Sequence, residues 1–122
     1  MVALHGWINL EYAHKNTVET LEGLEENHAI HSKIFCQNGQ VSCCFFSCRN
    51  HYGQSFHNLY NKLNEIIKVE PESYGIIYVH NDEDKDHHDT CQVWVIRKGR
   101  IEKKEDSFLS PLSEKVFSYS DD

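Results

Sequence analysis

Residues 80–91, HNDEDKDHHDTC, crowd carboxylates, imidazoles and a thiol into one short segment. Asp82, Asp84 and Asp86 match the first three ligand positions of an EF-hand calcium loop. The match then fails. His87 stands where the sharp turn needs glycine, and Val93 stands where a bidentate glutamate should close the cage. The flanking segments alternate like strands, whereas an EF-hand needs helices. The acidic run therefore reads as a solvated, charged turn.

Zinc is the other ion these residue types suggest. His80, His87, His88 and Cys91 are close in sequence, and Cys36, Cys43, Cys44 and Cys48 are not far away. No CxxC pair occurs. On a strand, Cys44 and Cys48 share a face but stand ~13 Å apart at ~3.3 Å per residue, too far to share one ion. Cys43 and Cys44 point to opposite faces. Cysteines in a buried strand act as small hydrophobes. A regulatory or metal-binding module using the His80 to Cys91 region stays open as the alternative function, and a small metal-dependent enzyme behind it.

Nucleophilic catalysis would need one thiolate, one imidazole and an orienting group. Five cysteines and nine histidines supply many such pairs by chance. No nucleophile elbow or glycine-rich phosphate loop accompanies them. The chain is read as non-enzymatic, with no catalytic residue, cofactor or metal ligand assigned.

Nineteen acidic and 12 basic residues give a net charge of −7 with histidines neutral. Such a chain is a poor match for nucleic-acid phosphates and suits a soluble protein or one with a basic partner. The concentrated bases, Lys98, Arg100, Lys103 and Lys104, are interleaved with Glu102, Glu105 and Asp106, as on a salted hairpin. The first apolar stretch is interrupted by His5, Asn9 and Glu11 with no basic residue before it, unlike an export signal. No run approaches the roughly 18 apolar residues of a membrane span. An odd cysteine count without a signal predicts reduced thiols and a cytoplasmic location.

The elements that must position these groups follow from periodicity. Residues 3 to 12 alternate as a strand, with Leu4, Ile8, Leu10 and Tyr12 on one face. Trp7 falls on the other face, among His5, Asn9 and Glu11. Asn16 and Glu19 form a capping-box pattern that starts a helix running to 28 or 31, and its acids are favoured early in the helix by the dipole. Asn38-Gly39 between apolar runs marks a hairpin. Its second arm, 41–49, is so apolar that a strand covered on both faces, or central in the sheet, is expected. Phe56, Leu59, Tyr60, Leu63, Ile66 and Ile67 recur at helical spacing over 54–69, and Pro71 ends that helix. A buried strand at 74–80 follows, then two strands joined by a tight turn at Lys98-Gly99, with Trp94 facing away from Val93 and Val95. The expected architecture is one α+β domain, 1–122, in the order βαββαβββ. It has one mostly antiparallel sheet and two helices mainly on one face.

HGWI (5–8), NH (50–51), SYGIIYVHND (73–82), VWVIRKGRIEKKED (93–106) and FLSP (108–111) occur in an order that resembles the immunity protein seven family of bacterial polymorphic toxin systems. The resemblance spans nearly the whole chain. It implies a non-enzymatic antidote that binds a cognate toxin domain and blocks it. Many such toxin domains are nucleases with basic clefts, and an acidic partner associates quickly with such surfaces. The candidate partner-binding residues are Asp82, Glu83, Asp84, Asp86 and Asp89, with Glu22, Glu25 and Glu26 second. The resemblance also pairs HGW with FLSP. Phe108, Leu109 and Pro111 are expected to cross the bare sheet face and cover Trp7, with Gly6 making room.

Overall fold

The computed structural model describes residues 1–28, 30–50, 53–86 and 90–106, apart from the side chains of 25–28. The chain runs β1 (Val2–Glu11), α1 (Lys15–His28), β2 (His31–Gln37), β3 (Gln40–Arg49), α2 (Gln54–Val69), β4 (Tyr74–Asn81), β5 (Gln92–Arg97) and β6 (Arg100–Glu105). This is the expected order βαββαβββ. The strands form one six-stranded sheet, β2-β3-β1-β4-β5-β6, with every neighbouring pair antiparallel.

Both hairpins arise from turn chemistry. Asn38 and Gly39 have φ of 52° and 78°, and Lys98 and Gly99 have 54° and 71°. Paired positive φ values match the right-handed twist of the flanking strands. They fix Gln37 opposite Gln40 and Arg97 opposite Arg100.

β1 lies between β3 and β4, and the register fixes which residues share a face. Leu4, Ile8 and Leu10 point to the helices with Val41, Cys43, Phe45, Ile77, Trp94 and Ile96. Phe56, Leu59, Leu63, Ile66 and Ile67 of α2, and Leu21 and Leu24 of α1, close that core. Tyr60 packs edge-on against Trp94 at 5.2 Å, and the Lys103 ammonium lies 4.3 Å from the Tyr60 ring centre. Gly6 lies on this helix side. A Cβ there would sit 2.5 Å from the Ile76 carbonyl oxygen, and one at Gly75 would strike the Trp7 carbonyl. The room Gly6 makes is therefore for the close approach of β1 and β4.

Several local expectations change. α1 begins at Lys15, so Asn16 lies inside the helix and the capping box does not form. The His14 carbonyl instead accepts the Thr17 and Val18 N–H groups. The buried Glu70 carboxylate accepts the His14 N–H at 3.2 Å and lies 2.5 Å from its imidazole Nδ1. No acid falls in the first turn of α1, so the dipole explanation of its glutamates does not apply. Tyr12 leaves the core face because its φ of 51° ends the strand, leaving it exposed. β3 is an interior strand, yet its burial alternates: Cys43, Phe45 and Ser47 are buried, and Cys44, Phe46 and Cys48 are exposed. Helices cover only one of its faces, so its exposed cysteines are not core hydrophobes. Trp7 is 37% exposed on the face that no described helix covers. Phe108, Leu109 and Pro111, the expected cover, lie outside the described residues.

Candidate functional site

The acidic segment is the connection from β4 to β5, and its first half is built by side chains folding onto the backbone. The Asn81 carbonyl accepts the Asp84 N–H, and Asn81 Oδ1 accepts the Glu83 N–H at 3.0 Å. Asp84 Oδ1 accepts the Asp86 N–H, also at 3.0 Å. These are consecutive Asx turns, the local bonding that makes asparagine and aspartate good turn formers.

Asp82 is held from the other side. Its N–H donates to the Met1 carbonyl, and its Oδ1 lies 2.6 Å from the Met1 amino group. That hydrogen bond lowers the Asp82 pKa from its usual value and raises that of the amino group. Asp82 is therefore matched within the molecule. Glu83 and Asp86 are exposed and Asp84 is half-buried, with Lys85 the one base among residues 82–86. Asp89, with His87 and His88, lies outside the described residues. Among the described residues, no three His, Cys, Asp or Glu side chains gather where they could hold a metal ion.

The helix acids sit elsewhere. Glu22 is exposed and lines an open recess of about 350 Å³ with Ser32, Lys33 and Ile34 of β2. The side chains of Glu25 and Glu26 are outside the description. β3 and β1 separate β2 from β4. Ser32 aligns with Ile77, five residues before Asp82, so the two acidic groups are ~14 Å apart across the sheet and ~17 Å apart along it, roughly 20 Å in all, and do not form one patch. At the far edge two arginines share one carboxylate. Arg97 Nε bonds Glu102 Oε1 at 3.1 Å and Arg100 lies 3.8 Å from the other oxygen, which lowers the Glu102 pKa.

Sequence reasoning put Trp7 on the sheet face away from the helices but missed the other aromatics that line it. Phe35, Phe46 and Tyr74 are exposed there beside Trp7 and Tyr78. His5 and Phe46 rings meet at 4.8 Å, Trp7 meets Tyr74 edge-on at 6.0 Å, and Asn9 Nδ2 donates to the Tyr74 hydroxyl at 3.2 Å. The apolar run of β3 hides its own alternation, since cysteine and phenylalanine occur on both faces. The cross-strand register was the missing signal. The contact between His14 and Glu70, 56 residues apart, had no sequence signal at all.

No described helix is long and apolar enough to cross a membrane. No curated protein and no solved structure matches the chain. A family model described as Immunity protein 7 matches residues 1–117. Its span takes in both helices, all six strands and the acidic β4–β5 connection. The chain belongs to the Immunity protein 7 family, a family of generally non-catalytic immunity proteins of toxin systems.

Proposed function

We propose that this protein neutralises a cognate toxin domain by binding it and occluding its active cleft with an acidic surface. The observation that carries this reading is the β4–β5 connection, which presents Glu83, Asp84 and Asp86 at one end of the sheet in a family of immunity proteins. Asp82 anchors that connection, Asp89 belongs to the same acidic stretch of sequence, and Glu22, with Glu25 and Glu26 beside it in sequence, is the second candidate group. A nuclease is the toxin class that best complements such a surface, because its substrate cleft must be basic. The protein acts in the cytoplasm, without catalysis or cofactor.

Acidic residues facing a basic cleft accelerate encounter, and salt screens that acceleration. Stopped-flow association with the cognate toxin domain tests this. The rate should fall steeply between low and physiological salt. Asp84→Lys with Asp86→Lys should slow it by roughly tenfold or more, given how far steering raises rates above the neutral range. A rate independent of salt would rule out the acidic surface while leaving neutralisation itself standing.

A further inference from the structure

The two edges of the sheet are built differently. β6 carries Arg100, Glu102, Lys103, Lys104 and Glu105 within its six residues. Charged edges resist pairing with foreign strands, and this one is well guarded. β2, HSKIFCQ, carries a single formal charge at Lys33, and that ammonium leans over the Phe35 ring at 5.7 Å. Among the described residues no strand pairs on the outer side of β2. Phe35 is 50% exposed on it, and Phe46 on the adjacent β3 is 44% exposed. His31 stacks on Phe46, so the aromatic surface runs out to this edge. On the helix side, the recess lined by Glu22, Ser32, Lys33 and Ile34 opens at the same edge.

We infer that β2 is the seat of the toxin: an extended segment of the toxin domain adds to it as a seventh strand. This rests on the toxin-binding reading above and names the surface that holds the partner once the acidic connection has steered it in. Strand addition takes affinity from main-chain hydrogen bonds and specificity from alternate side chains. The two sides of β2 define those side chains. On the helix side the partner strand carries a base that meets Glu22. On the other side it carries apolar groups that continue the surface of Phe35 and Phe46. A second copy of this chain is a poor occupant. Pairing two β2 strands about a two-fold axis brings Glu22 of both copies to one seam, and like charges there repel. The β4–β5 connection lies three strands across and beyond the strand ends, roughly 20 Å from β2, within reach of one toxin surface of ~800 Å².

Hydrogen exchange on the full chain, free and bound to the catalytically inactivated toxin domain encoded beside it, tests the assignment. In the free chain the outward amides of His31–Gln37 should exchange fast at every protein concentration. On binding they should slow by more than about tenfold, while those of Arg100–Glu105 stay unchanged. Glu22→Lys should weaken binding by about tenfold or more, whereas Glu72→Lys, the same charge change at the opposite end of β4 from the acidic connection, should not. A complex that forms with β2 exchange unchanged overturns the seat and leaves neutralisation intact. Slow β2 exchange in the free chain also overturns it: concentration-dependent protection means a second copy, and concentration-independent protection means a segment of the same chain. Absence of any complex overturns both readings.

Discussion

Cys43 shows how one side chain is defined by its face of the strand. It is fully buried, and desolvation pushes its thiol up to about 12 from an ordinary value of 9.0. Cys36 and Cys44 are exposed. Alkylation of the native protein at mildly alkaline pH should therefore label Cys36 and Cys44 and spare Cys43, as read by peptide mass. The sign of the pH effect follows. The unfolded thiol ionises first, so the folded state holds the extra proton between pH 9 and 12, and stability falls as pH rises through that window. Denaturation midpoints of the protein and of Cys43→Val at pH 8 and 10 check this, and the variant should lose less. A strand run of SCCFFSC identifies its residues as apolar or polarisable. It does not say which of two adjacent cysteines meets the helices, because that depends on the register with β1.

At the scale of elements, long-range groups finish what local signals begin. α2 and both hairpin turns were legible in the sequence because a 3.6-residue period and two X-Gly turns are local features. The start of α1 was not, because its cap depends on Glu70 across the fold. Glu70→Ala leaves the His14 N–H without that partner and should cost about 1–3 kcal/mol in urea denaturation. Glu70→Gln, which keeps an acceptor, should cost less. The uncovered sheet face raises a second question at this scale. Trp7 is 37% exposed and Trp94 is buried, so acrylamide should quench Trp7 in a Trp94→Phe variant. If Phe108, Leu109 and Pro111 cover Trp7, truncation after Asp106 should strengthen that quenching. An unchanged signal would mean that those residues leave Trp7 open.

At the scale of the whole molecule, the charge is distributed and not merely negative. The β4–β5 connection and α1 carry acids, Arg97 and Arg100 of the β5–β6 hairpin share Glu102, and β2 carries little formal charge beside exposed aromatics. Composition gave the net charge, but only folding separates an acidic end from an edge strand that carries a single formal charge. On the proposed reading, steering and seating are different tasks on different surfaces. Raised salt should slow association through the first and change dissociation from the second much less. The central claim, that the chain is the antidote to one toxin, is met most directly by co-expression with the toxin domain encoded immediately upstream, scored by growth and co-purification. The account predicts restored growth and a stable complex. A well-folded chain that neither restores growth nor co-purifies with that domain would contradict it.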